Sequence, residues 1–154
     1  MSQVVSKDGT AIAFEKSGAG PPLVLVDGAL CYRASGPARP LAALLASHFT
    51  VFTYDRRGRG ESADTAPYAV AREVEDLDAV IKAAGGSAYV YGISSGAALS
   101  LEAAKRGLGI HWTVLPRPGG WAIVDDNPHR IQRSPHRKNS TSTGASAVGL
   151  TMCV

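Results

Sequence analysis

A chain of 154 residues, 45% hydrophobic and 19% charged, has the size and composition of one globular domain with its own core. No apolar run approaches the ~20 residues of a membrane-spanning helix, the first ten residues lack the apolar stretch of a secretory signal, and Cys31 and Cys153 stand without CxxC or Cys/His spacing. A membrane protein, a disulfide framework and a metal site are not expected, and a cytoplasmic location follows by default.

The net charge of +3 is unevenly placed. Residues 1–108 carry 11 Lys+Arg against 11 Asp+Glu, and residues 109–154 carry 5 against 2, so the whole excess lies in the second segment. Five cations spread over that length, without interleaved aromatics, do not form the basic stripe that nucleic-acid binding requires.

Short β-prone runs, Gln3-Val4-Val5 and Ala11-Ile12-Ala13-Phe14, flank Asp8-Gly9 and predict an N-terminal β-hairpin. After the break at Gly18-Ala19-Gly20-Pro21-Pro22, Leu23-Val24-Leu25-Val26 is apolar throughout, the signature of a parallel strand buried on both faces. Leu41, Leu44 and Leu45 follow Pro40 at helical spacing, and Thr50-Val51-Phe52-Thr53-Tyr54 reads as the next strand. Val70, Val74, Leu77, Ile81 and Ala84 share one helical face, with acids near the start and Gly85-Gly86 beyond the end. Ala88 to Tyr91 is a further strand, and Ala97 to Arg106, closed by Gly107, a further helix. Alternation of this kind predicts an α/β fold with a doubly wound, mostly parallel sheet.

Gly92-Ile93-Ser94-Ser95-Gly96 lies between a predicted strand and a predicted helix, the context that gives a GxSxG pattern physical meaning. A serine on a sharp strand-to-helix turn lifts its hydroxyl above the sheet, and Gly92 and Gly96 relieve the crowding that such a backbone creates. The helix N-terminus points free N–H groups into the same space, where they favour a developing oxyanion. Ser94 is the candidate nucleophile and Ser95 a candidate backbone donor. The pentapeptide alone reads equally well as a glycine-rich phosphate loop or a plain turn, but the GxGxxG and GxxxxGK[ST] spacings are missing.

Three motifs in order carry a resemblance. Val26-Asp27-Gly28-Ala29 follows the first buried strand, Asp55-Arg56-Arg57-Gly58-Arg59-Gly60-Glu61-Ser62 follows the next, and the Ser94 elbow comes third. Over about residues 3–110 the chain resembles the serine-nucleophile branch of the α/β-hydrolase superfamily. The resemblance implies a partial α/β-hydrolase fold, no cofactor, a small ester- or amide-like substrate, and an acyl-enzyme on Ser94. It also maps Ala29 to the residue whose N–H completes the oxyanion hole with that of Ser95. Asp27 stands where the family usually has His; a carboxylate there opposes an oxyanion unless it is turned away or hydrogen-bonded. Arg56, Arg57 and Arg59 are expected to be structural, Cys31 a packing residue, and Tyr89 and Tyr91 strand core.

A serine needs a base and a carboxylate to orient it. In this family both follow the serine, on later strands. His48 precedes the elbow and is expected at a helix end on the surface. The tail offers His111, His129 and His136 as bases and Asp125 and Asp126 as acids, but Asp126 and His129 are too close together to come from two strand ends. Trp112 to Leu115 could form one more strand before Pro116, Pro118 and Gly119-Gly120 stop regular structure. The expected division is thus 1–110, the N-terminal portion of a hydrolase domain, and 111–154, an irregular basic tail from a truncated or frame-disrupted chain. An active-site serine probe should then label weakly or not at all. The alternative is a non-catalytic fragment or partner-binding module whose open sheet edge invites self-association.

Overall fold

The structure is a computed structural model and describes residues 2–117, 120–125 and 131–133, with side chains over residues 2–111. Strands β1 (Ser2–Val5) and β2 (Ala11–Ser17) form the predicted hairpin. Its turn is closed by Asp8, whose Oδ1 accepts the Thr10 N–H at 3.1 Å, and by Gly9 at φ +88°. Strands β3 (Pro22–Val26), β4 (Thr50–Tyr54) and β5 (Ala88–Gly92) are parallel, with β3 between the other two. β2 joins this set antiparallel to β4. β3, the all-apolar run, is therefore central and covered on both faces.

Its alternating side chains feed two cores. Val24 and Val26 pack with Ile12, Phe52, Tyr54 and Val90 against helices α2 (Val70–Ala83) and α3 (Ser95–Lys105). Leu23 and Leu25 pack with Val51 against Ala38 and Ala42 of helix α1 (Ala38–Leu45), and Tyr89 and Tyr91 border this second core, half-buried. Pro40 falls in the first turn of α1, where its missing N–H removes no intrahelical bond. The doubly wound α/β architecture predicted from the sequence is the one observed.

The described residues beyond 109 are strands. β6 (Ile110–Arg117) continues the parallel set beside β5, runs through Pro116, and turns back into β7 (Gly120–Asp125), which β8 (Ile131–Arg133) extends antiparallel. The expected stop at Pro116 and Gly120 is thus corrected. The register of β6 with β5 ends at Val114, so Pro116 lies beyond the ladder to β5, where its lack of a donor costs nothing on that side. Nor is β6 an open edge: β7 covers it, and the outer strands among the described residues are β1 and β8. No helix among the described residues is long and apolar enough to cross a membrane.

Candidate active site

Ser94 joins the end of β5 to the start of α3 with φ +53° and ψ −120°, and is the one non-glycine residue with positive φ among the described residues. A side chain held there costs of order 1–3 kcal/mol, so the surroundings must impose it. They do so through two glycines. A methyl on Gly92 would lie 2.6 Å from the Ala97 Cα, and one on Gly96 would lie 2.6 Å from the Asp27 carbonyl oxygen and closer still to that of Val26. The elbow is pressed onto the end of β3, and the Ile93 N–H donates to the Val26 carbonyl at 3.0 Å. Ser94 is exposed, as the predicted geometry requires.

The loop after β3 comes up beside it. A methyl on Gly28 would lie 3.6 Å from the Ser94 Cβ, which puts the loop within van der Waals reach of the serine. Ala29 follows, exposed. Neither its N–H nor that of Ser95 takes part in a hydrogen bond among the described residues, so both stay available to an acceptor.

Asp27 is turned away from this opening. Its carboxylate is 2% exposed and lies against Gly36, where a methyl would be 3.1 Å from Oδ2, and neither oxygen has a hydrogen-bond partner. Burial, with the nearby Asp55 carboxylate adding to it against a smaller opposing pull from Arg56, pushes its pKa up to about 6. The ionised form is disfavoured in the fold, so stability falls as pH rises from the ordinary Asp range through about 6. Asp27→Asn should accordingly stabilise the protein at pH 8 by ~2 kcal/mol and by much less at pH 4. Thermal melts of the two proteins at both pH values check this; an equal gap at pH 4 and pH 8 would show that charge is not the cause.

Arg56 and Arg57, after β4, are buried structural ties, whereas Arg59 is only partly buried. Arg57 spans Asp76 of α2, by two bonds of 2.7 Å, and Asp8 of the hairpin turn, at 3.0 Å. Arg56 donates to Glu73 of α2 at 2.5 and 2.8 Å, to Ser95 Oγ at 2.9 Å and to the Asp27 carbonyl at 3.2 Å. Asp55 receives the Arg33 N–H at 2.6 Å and the Glu61 N–H at 2.9 Å, and Arg33 also pairs with Glu61. Ser62 accepts from the Ala13 N–H and donates to the Asp55 carbonyl, pinning the turn to β2. Sequence reasoning missed the partners. Glu73 and Asp76 looked like acids complementing the helix N-terminus, whereas their i, i+3 spacing beside Val74 and Leu77 puts them on the buried face.

No His or carboxylate side chain of residues 2–111 is hydrogen-bonded to the Ser94 hydroxyl. His48 is exposed just beyond α1, as expected. His111 hydrogen-bonds Ser87 at 3.0 Å, at the N-terminal end of the parallel strands, on the order of 15 Å of strand rise from the elbow. Asp125 pairs with Trp112 in backbone register at that same end. Asp126, His129, His136 and Cys153 lie outside the described residues. Cys31 is buried. No cluster of three or more His, Cys, Asp or Glu among the described residues could hold a metal.

Comparison with known proteins agrees with this geometry. Residues 17–148 match the Alpha/beta hydrolase family. An alpha/beta hydrolase from Sphaerobacter thermophilus superposes with a TM-score of 0.72 at 62% identity, over 74% of this chain and 44% of that one. An esterase from Rhodococcus sp. superposes at 0.67 and 28% identity over the same shares. An epoxide hydrolase from Vigna radiata shares the fold at 0.67 and 21% identity, over 74% of this chain and 38% of that one. The chain spans less than half the length of each of these structures. With a strained serine between two obligate glycines, an elbow packed on the end of β3, and a family match over most of its length, the chain belongs to the alpha/beta hydrolase family.

Proposed function

We propose that Ser94 is the nucleophile of a serine hydrolase that acts on small ester, amide or related carbonyl substrates through an acyl-enzyme, with the N–H groups of Ala29 and Ser95 as its oxyanion donors. The observation that carries this reading is the strained Ser94 backbone, which lifts the hydroxyl to the surface at a helix N-terminus. Attack of Ser94 Oγ on a carbonyl carbon places negative charge on the carbonyl oxygen. Two hydrogen-bond donors without other partners are suited to receive it. A serine rather than an aspartate at the elbow favours acyl transfer over epoxide opening, and the similarity to an esterase from Rhodococcus sp. points to the same class.

In this reading the nucleophile and both donors lie among the described residues, and no His or carboxylate side chain of residues 2–111 is placed as a base for the hydroxyl. We therefore propose that the chain by itself is weakly reactive, since donors alone leave only ~10³–10⁴-fold catalysis over water once triad members are removed. With p-nitrophenyl acetate, nitrophenol release should be slow and should fall to the buffer rate in Ser94→Ala. Release unaffected by Ser94→Ala would refute the nucleophile assignment. A fast, stoichiometric burst would show that a working base is present after all.

A further inference from the structure

One buried guanidinium touches both segments that frame the site. Arg56 is 6% exposed and Glu73, its bidentate partner on α2, is 2% exposed. That pairing uses Nε and Nη2. The remaining nitrogen, Nη1, donates to Ser95 Oγ at 2.9 Å and to the Asp27 carbonyl at 3.2 Å. Ser95 carries one of the proposed oxyanion N–H groups, and Asp27 lies two residues before Ala29, which carries the other. Glu73 is fixed in turn by the Tyr68 hydroxyl at 2.9 Å.

We infer that Arg56 is a positioning residue: through Nη1 it locks the elbow and the start of the loop after β3 in register, and so sets the spacing of the two oxyanion donors. The inference rests on the reading of Ser94 and its donors given above. An ion pair serving only to hold α2 to the sheet would need Nε and Nη2 alone. The hydroxyl of Ser95 has no part in closing the elbow, because Gly96 N–H to the Ile93 carbonyl, at 2.8 Å, and Ala97 N–H to the Ser94 carbonyl, at 3.0 Å, already do so. Its one hydrogen bond among the described residues is to Arg56. The arrangement also depends on the shape of the guanidinium. Its planar fork presents several N–H groups in fixed directions, whereas a lysine ammonium is a point charge on a flexible stem.

The Ser95 hydroxyl provides the test without disturbing the buried pair. In the whole chain, the acylation rate of Ser94 by p-nitrophenyl acetate is measured for the parent, Ser95→Ala and Ser95→Thr, with Ser94→Ala as background. Amide exchange at Cys31, Ile93 and Gly96 is followed in the same proteins by NMR. Ser95→Ala should slow acylation by roughly 10-fold or more, as expected when donors shift by a fraction of an ångström. Exchange should rise together in the loop and the elbow, while amides of Leu77 and Val80 in α2 stay protected. Ser95→Thr, which restores the hydroxyl, should return both readouts to within about threefold of the parent. Arg56→Lys should behave like Ser95→Ala; if it fails to fold, the Ser95 pair decides. Unchanged exchange at all three amides in Ser95→Ala, or equal losses in Ser95→Ala and Ser95→Thr, would overturn the inference. Should the parent acylate no faster than Ser94→Ala, the hydrolase reading falls, and the exchange results still judge the role of Arg56.

Discussion

Replacing Asp76 with alanine should destabilise the protein by roughly 3–5 kcal/mol, the usual cost of removing one partner from a buried ion pair. Arg57 and Asp76 are each 1% exposed at the side chain, and the two bonds between them leave Arg57 only Asp8 and the Arg72 carbonyl once Asp76 is gone. An orphaned guanidinium in that position keeps its charge and loses most of its compensation. Asp78, two residues on, is the control. Its pair with Lys82 is half-exposed, and Asp78→Ala should cost no more than about 0.5 kcal/mol. Urea unfolding of the two variants separates the cases; equal losses would mean that Arg57 does not anchor the hairpin to α2. Acid should weaken the same anchor. The Asp8 carboxyl is held below the usual range by its bond from Arg57, so the stability it contributes is present above that range and is lost as pH falls.

Gly96→Ala is the second large effect, expected at about 3 kcal/mol, near the upper end for overpacking, and roughly 6–12 °C in Tm for a chain of this size. The new methyl would meet two backbone carbonyls of the β3 end, Val26 and Asp27, which cannot rotate away as a side chain could. Either β3 shifts or the elbow relaxes, so Ser94 acylation should be lost along with the stability. Gly28→Ala makes the contrast, since its methyl meets only ordinary contacts at 3.6 and 3.7 Å, and its Tm should stay within about 2 °C of the parent. A Gly96→Ala protein as stable as Gly28→Ala would show that the elbow is not held as described.

These expectations rest on features of unequal visibility in the sequence. The hairpin, the central strand and α2 were legible because each has a local cause: Asp8-Gly9 at the turn, an unbroken apolar run, and a 3.6-residue apolar period. Ser94 was legible because steric demand writes Gly92 and Gly96 at fixed offsets from it. The ion-pair partners were not. Arg56 to Glu73 and Arg57 to Asp76 are separated by 17 and 19 residues, and although the helical register of Glu73 and Asp76 beside Val74 and Leu77 marks the buried face, nothing local names the arginine that each acid meets. The orientation of Asp27 was equally hidden, because it is fixed by the return of Gly36 against it. The strands after Gly109 were obscured by Pro116 and the Gly119-Gly120 pair, which stop a ladder only where the missing donor is needed.

The central claim, that Ser94 is the reactive group, is tested most directly by treating the protein with an excess of a fluorophosphonate and mapping the adduct by tryptic mass spectrometry. The account predicts a slowly formed, single adduct on the peptide from residue 83 to 105, assigned to Ser94 by fragmentation and absent from the Ser94→Ala protein. An adduct that persists in Ser94→Ala, or that forms first on another residue, would contradict it.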